Sequence, residues 1–284
     1  VSGGVDSMVL LDMLRQQPGL ELTVAHFEHG IREDSDFDRM LVKKAAQRYG
    51  LPFVFERGNL GPHASEAQAR DARYAFLRHV KEQTGAQAII TAHHQDDLIE
   101  TAIINLLRGT GRRGLSSLRS TPELVRPLLD ISKHALYGYA AKHPELVWRV
   151  DSTNQSDAYL RNYIRHHLTK RLGEASKELL LSYIEYAGES NPLIDSLLLH
   201  DINRNTREGA LDRQWFIMLP YDVSCETMAA WLRAHNVRGF DRKAIERLVV
   251  SAKVARPGVT ADVDAEHVLK ISKATLEFLP RSTS

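Results

Sequence analysis

Ser2-Gly3-Gly4-Val5-Asp6-Ser7 is the stretch on which the reading of this chain turns. Two glycines, two hydroxyls and a carboxylate stand directly before the apolar run Met8-Val9-Leu10-Leu11, with Met13-Leu14 beyond it. Apolar positions at Val9, Leu10, Met13 and Leu14 trace one helical face, so the hexapeptide is expected to be a loop emptying into a helix N-terminus. Glycines let backbone N–H groups close on an anion there, and the helix dipole favours negative charge. Ser2 and Ser7 can donate to phosphate oxygens, while Asp6 can cap the helix or hold a metal carried by the phosphates. A plain serine–glycine turn with an Asp cap is the competing reading. The Walker pattern is excluded, because no Gly-Lys-Ser/Thr ending is present.

Outward from this loop, residues 20–26 read as a strand that runs into His29-Gly30-Ile31-Arg32. A helix over 35–49 with Ser35 as cap and Gly50 as stop comes next, then a short strand at 53–55. A capping box at 65–68 opens a helix to about residue 84. Residues 88–92 form a buried-type strand, followed by a helix from 96 or 97 to 108, stopped by Gly109. Beyond Pro127 the pattern predicts a helix over 132–142, a short strand at 147–150, and helices near 158–171 and 175–187. From Gly188 the alternation is lost. Helices near 226–236 and 242–252 and a hairpin of 268–271 with 275–279 are expected. Val1 falls inside the expected first strand, so a short N-terminal stub is expected ahead of it.

Alternating strands and helices imply an α/β fold with a doubly wound, Rossmann-like parallel sheet, joined to a smaller C-terminal α+β domain. In such sheets ligands bind beyond the strand C-termini, where strand order reverses. The Ser2–Ser7 loop follows the first strand and His93-His94-Gln95-Asp96-Asp97 the fourth, so both motifs are expected to face one crevice.

Asp97, Glu100 and Thr101 share a helical face at a helix start. They read as caps and dipole partners, or as acids that hold Mg²⁺ against nucleotide oxygens or orient a substrate. Asp97 is the expected reactive carboxylate. His26, His29, His93 and His94 end predicted strands and suit hydrogen bonding to nucleotide or substrate; zinc lacks a supporting ligand spacing. Arg70, Arg73 and Tyr74 share a face of the helix after residue 65. Gly109-Thr110-Gly111-Arg112-Arg113-Gly114 fits GxGxxG formally, but it follows a helix, so it is not a dinucleotide fingerprint. Arg108, Arg112, Arg113 and Arg119 are instead expected to form a basic loop for RNA phosphates. Arg161, Arg165, Lys170 and Arg171, interleaved with Asn162, Tyr163, His166 and His167, make a second basic element or a solvated face.

The 284 residues carry a net charge of +1, so any nucleic-acid contact must come from local patches. A single cysteine, Cys225, excludes an internal disulfide framework and an all-cysteine cluster within the chain. A reducing, cytoplasmic setting fits, and no apolar run of membrane-spanning length is present. Oligomeric state stays open, a homodimer included.

The loop resembles the SGGxDS pyrophosphate loop of ATP pyrophosphatases. The stretches at 26–34, 66–77, 91–115, 126–130 and 151–168 (HFEHGIRED, EAQARDARYAFL, TAHHQDDLIETAIINLLRGTGRRGL, RPLLD and DSTNQSDAYLRNYIRHHL) resemble the tRNA(Ile)-lysidine synthetase family in order. The resemblance is strong to about residue 175 and loose beyond. It implies ATP and Mg²⁺ as cofactors, and L-lysine and an isoleucine tRNA with a CAU anticodon as substrates. It further implies adenylation of the wobble cytidine and expulsion of AMP by the lysine ε-amine. By the matching positions, Asp97, Arg73 and Arg165 belong to the reaction centre or handle lysine. Ser2, Gly3, Gly4, Val5, Asp6 and Ser7 hold the nucleotide, with Asp6 and Asp97 toward the metal. His29, Arg32, Arg70, His94, Glu100, Arg108, Arg112, Arg113 and Arg161 serve substrate and tRNA. Residues 1–175 would then be catalytic, and 176–284 a helical linker with a tRNA-binding domain. Rival readings are a cytidine-thiolating relative and a non-catalytic nucleotide- or RNA-binding protein.

Overall fold

In the computed structural model, which describes residues 1–29, 35–58, 61, 64–149, 160–237 and 239–281, the opening loop empties into helix α1 (Val5–Arg15). Two apolar clusters clasp this helix from opposite sides. Val5, Val9 and Leu10 pack with Leu128, Leu136, Ala140 and Leu146. Met8 and Leu11 pack with Val24, Val42 and Ala46. Neither side is polar, which is why the expected amphipathic stripe broadens into a helix that is mostly buried.

Strand β1 (Val24–Glu28) pairs in parallel with β2 (Phe53–Arg57), with α2 (Ser35–Arg48) as the crossover. Helix α3 (Glu66–Thr84) starts with the expected capping box: Ser65 Oγ accepts from Gln68 N, and the Gln68 side chain accepts from Ser65 N at 2.9 Å. Strand β3 (Ile89–Ile90) pairs in parallel with β4 (Leu124–Val125), and a parallel bridge joins His94 to Leu128. Between them lie α4 (Gln95–Leu107) and the single turn α5 (Arg112–Leu115). Helix α6 (Lys133–Lys142) follows, capped by Ser132, and α7 (Leu160–His167) ends in a 3₁₀ turn at Thr169–Arg171. Parallel strands joined by helices make this part α/β. The described strands form two parallel pairs, and residues 147–149, expected as a strand, join no ladder; the Arg149 N–H donates instead to Gly3 O at 3.0 Å.

Helix α8 (Glu174–Arg204) departs most from the sequence expectation, running on through Gly188 and Pro192 where a stop near residue 187 was expected. The reason is tertiary. Asn191 is buried, its amide donating to Ser116 Oγ at 2.8 Å, and a Cβ at Gly188 would touch Ser116 at 3.8 Å. Packing overrides the local breakers. Then come β5 (Thr206–Arg207), β6 (Ala210–Asp212), α9 (Arg213–Met218), α10 (Tyr221–Ala234) and α11 (Arg242–Val254). The last strands are β7 (Val259–Asp262), β8 (His267–Ile271) and β9 (Thr275–Pro280). They complete an antiparallel sheet of order β5-β6-β9-β8-β7, containing the expected hairpin as β8–β9. Its inner face carries Leu211, Leu269, Ile271 and Leu276 against Phe216, Met228, Trp231 and Leu248.

The chain forms two compact units. Val1–Ile104 with Ser117–Lys177 make the first, and Asn105–Ser116 with Glu178–Ser284 the second. Among the described residues no helix is long and apolar enough to cross a membrane.

Candidate active site

Gly4 is the N-cap of α1, and Gly3 takes φ +95°, a left-handed conformation that an L side chain would strain. That turn directs donors onto one oxygen. Ser7 Oγ accepts from Ser2 N at 3.1 Å and Gly3 N at 3.3 Å, lies 3.1 Å from Ser2 Oγ, and donates to Gly4 O at 3.0 Å. Backbone N–H groups converging on an oxygen at a helix N-terminus are the arrangement a phosphate oxygen needs.

Asp6, on the first turn of α1, accepts from Lys133 Nζ at 2.5 and 2.7 Å. His94 Nε2 lies 3.7 Å from Asp6 Oδ2 and 3.5 Å from Asp97 Oδ2, linking the two carboxylates. Asp97 also accepts from His94 N at 3.1 Å, the reciprocal bond of a capping box. It is thus a cap and a member of the site at once. The parallel bridge His94–Leu128 sets this helix start at the end of the β3–β4 pair.

One turn along α4, the Glu100 carboxylate is 1% exposed and takes a two-pronged bond from Arg165, 2.6 Å from Nε and 2.8 Å from the terminal nitrogen. Arg165 also reaches Asp97 at 3.4 Å, and Arg161 lies 3.8 Å from Glu100 and 4.0 Å from Asp97. The α7 helix therefore serves as a cationic wall for the α4 acids, not as a solvated face. Burial raises the Glu100 carboxyl above its ordinary value despite Arg165. At Asp97 burial pushes the same way, but His94, its N–H, His93 and Arg165 outweigh it and hold this acid below the usual range. Two neighbouring carboxylates with opposite shifts mark a site able to separate roles. Burial, with Arg126, Arg73 and Arg70 nearby, lowers His93 to about 3, so this ring is neutral; its Nδ1 lies 2.9 Å from Thr91 Oγ1. Arg73 is half-buried, and Arg73 and Arg70 both lie over the Tyr74 ring, at 5.4 and 4.8 Å.

The loop residues, His94, Asp97, Glu100, Arg161 and Arg165 are thus brought together, with Arg73 and Arg70 within electrostatic reach of His93. His29 sits at the end of β1, edge-on to Phe27 at 5.1 Å. Arg32 lies outside the described residues, as does 151–159 of the motif quoted at 151–168.

Two arginines expected in a basic loop for RNA phosphates have partners inside the protein. Arg112 is not a free phosphate donor. It bonds Asp195 at 2.6 Å, Glu226 at 3.1 Å and Asn191 Oδ1 at 2.6 Å, inside the second unit. Arg113 is bonded to the other Asp195 oxygen. The glycine spacing there has a packing cause, since a Cβ at Gly114 would land on the Thr110 side chain. Arg108 and Arg119 are exposed.

Sequence reasoning missed Lys133, whose signal was a lysine just inside a capped helix after the RPLLD stretch. It also missed Asp38, which lies 3.6 Å from where a Gly3 Cβ would stand and binds Arg149 at 3.2 Å. Among the described residues no three His, Cys, Asp or Glu side chains form a metal cage by themselves. Asp6 and Asp97 around the loop instead fit Mg²⁺, which takes one or two carboxylates and completes its shell with phosphate oxygens and water.

Comparison with known proteins supplies the family. A family model described as a PP-loop domain matches residues 1–172. The chain is 38% identical over 205 residues to the tRNA(Ile)-lysidine synthase of Thermus thermophilus, covering 69% of this chain and 40% of that protein. It is 32% identical over 298 aligned residues to the Lactiplantibacillus plantarum protein of the same name, covering 99% of this chain and 66% of the relative. The Geobacter sulfurreducens protein gives 32% over 295 residues, 99% and 59%. The chain therefore spans about two fifths to two thirds of the length of these curated relatives. Among solved structures, a U34-tRNA thiolase of Methanococcus maripaludis with its [4Fe-4S] cluster has a TM-score of 0.54 at 18% identity, over 66% of this chain and 70% of that one, a likeness of fold. With the loop, its helix and the facing acids all inside the matched span, the chain belongs to the PP-loop family of ATP-binding domains.

Proposed function

We propose that this chain is an ATP-dependent ligase that joins L-lysine to the wobble cytidine of an isoleucine tRNA with a CAU anticodon, releasing pyrophosphate and AMP. The observation that carries this reading is the meeting of Asp6 and Asp97 across His94, beside a donor-lined loop, in a chain similar over 99% of its length to a tRNA(Ile)-lysidine synthase. In the first step the cytosine 2-carbonyl oxygen bonds to the α-phosphorus of ATP, and the bond to the β-phosphate bridging oxygen breaks. In the second, the lysine ε-ammonium gives up a proton to water, the resulting amine bonds to cytosine C2, and the C–O bond to AMP breaks. Ser2, Gly3, Gly4 and Ser7 hold the departing pyrophosphate through N–H and O–H donors. Mg²⁺, held by Asp6 and Asp97, supplies charge neutralisation at the phosphates when bound. Asp97, kept ionised, orients the incoming ammonium, while Arg165 and Arg161 fix the α4 acids and Arg73 faces the reaction centre from α3. The wobble base must leave its loop to enter, as single-stranded bases can. On this reading residues 1–175 are catalytic and 176–284 grip tRNA.

Cytidine thiolation that relies on a protein thiol has only Cys225 to use in this chain, and that residue lies in the second unit. The test is turnover with ATP, Mg²⁺, lysine and unmodified tRNA. Lysine-dependent release of AMP and pyrophosphate is expected, and Asp97→Asn should slow it roughly a hundredfold or more with stability retained, because Asn still caps. Turnover indifferent to lysine, or a fully active Asp97→Asn, would overturn the reading.

A further inference from the structure

We propose that Lys133 is a polyphosphate-binding residue, which leaves Asp6 for a phosphate oxygen when nucleotide enters. The inference rests on the nucleotide reading above and goes beyond it. The Ser2–Ser7 loop has no cation of its own, yet a loop that binds polyphosphate needs one close at hand. The fold supplies it from another helix. Lys133 opens α6 directly after its Ser132 cap and places Nζ 2.5 and 2.7 Å from the two Asp6 oxygens.

The pair is not built as a structural bolt. Both side chains keep contact with solvent, 29% exposed for Lys133 and 26% for Asp6, so water can take over as either partner's hydrogen-bonding group when the pair opens. Helix α6 is anchored to α1 elsewhere. Tyr139 OH donates to the buried Asp12 at 2.8 Å, Gln16 Nε2 donates to Tyr139 OH at 3.1 Å, and Leu136 and Ala140 share the cluster of Val9 and Leu10. Lys133 can therefore let go of Asp6 without undocking its helix.

Asp6 cannot serve Lys133 through both oxygens and coordinate Mg²⁺ through them at the same time. A cation arriving with the nucleotide competes for this carboxylate, while the phosphates offer Lys133 a new acceptor. The lysine stands in for the metal before binding and joins the phosphates afterwards.

Binding of inorganic pyrophosphate, ATP and adenosine to the full chain, by calorimetry with and without Mg²⁺, tests this directly. Lys133→Met is expected to weaken pyrophosphate and ATP by about tenfold or more and leave adenosine unchanged, with Lys133→Arg retaining most of the affinity. In metal-free buffer Asp6→Asn should tighten pyrophosphate several-fold, because the lysine loses its competing acceptor, and Lys133→Met in that background should abolish the gain. Wild-type affinity for pyrophosphate in Lys133→Met would overturn the proposal. So would a parallel fall in melting temperature that Lys133→Arg does not restore, since it would mark a structural pair. If the wild-type chain bound neither ATP nor pyrophosphate, the nucleotide reading would fall and this proposal with it.

Discussion

Two arginine–carboxylate networks, one in each compact unit, use the same chemistry to different ends. In the first, Arg161 and Arg165 face Asp97 and Glu100, and His94 carries the network on to Asp6 in the phosphate loop. In the second, Arg112 and Arg113 bind Asp195 and Glu226, and Arg112 also holds Asn191, all within one unit. Both arginine pairs sit in motif-like stretches of sequence. What separates them is whether their acids lead on to a ligand-shaped loop or end in packing. An arginine in a basic segment is available to RNA only after its internal partners are known.

Arg165→Ala should give the largest effect. It strips the buried Glu100 carboxylate of both donors, at a cost of about 2 kcal/mol after allowing for the partial exposure of Arg165. Turnover should also fall, because Asp97 loses a partner. Urea unfolding beside kinetics reads both, and Glu100→Gln in the Arg165→Ala background should recover much of the stability and none of the activity. Unchanged stability would erase the distinction between a buried network and a surface one.

A smaller effect, about 1–2 kcal/mol, is expected from Arg112→Ala, confined to unfolding of the second unit and without change in the salt dependence of tRNA affinity. Joint replacement of Arg108 and Arg119 should do the reverse, leaving stability within about 0.5 kcal/mol while flattening the slope of log affinity against log salt by up to about two. A flattened slope in Arg112→Ala would return that arginine to the RNA surface.

The last effect is read against pH rather than by removing a contact. His93, lowered to about 3, stays neutral when folded but takes a proton when unfolded below about 6.5. The unfolded state then binds more protons, so stability falls as pH drops through that window, by at most about 1.4 kcal/mol per pH unit for one site. Urea midpoints at pH 7, 6 and 5 should fall for the wild type and fall less for His93→Asn. Equal slopes would remove His93 as the cause. Glu100, shifted upward, works in the opposite direction, but only nearer its own range.

The loop, α1, the capping box of α3 and the Asp97 helix were legible because each is written in neighbouring residues with a fixed chemical grammar. The pairing of Arg165 with Glu100 was not, since 65 residues separate them and only folding brings them together. Lys133 escaped for the same reason at a separation of 127 residues. Gly188 misled because local propensity is weak beside a buried Asn191 tied to Arg112 and Ser116. The order of β5-β6-β9-β8-β7 was beyond reach, its alternation being too short to separate edge from centre.

Helix α1 is clasped between two apolar clusters, and Val5, Asp6 and Ser7 of the loop form its first turn. The loop is consequently no portable cassette. Grafted without Leu128 and Leu136 on one side and Val42 and Ala46 on the other, the same six residues would lose the platform that aims them. Directed evolution of nucleotide preference would then find useful changes in the two hydrophobic seats beneath the loop, since close-packed cores respond to a change of even one methylene.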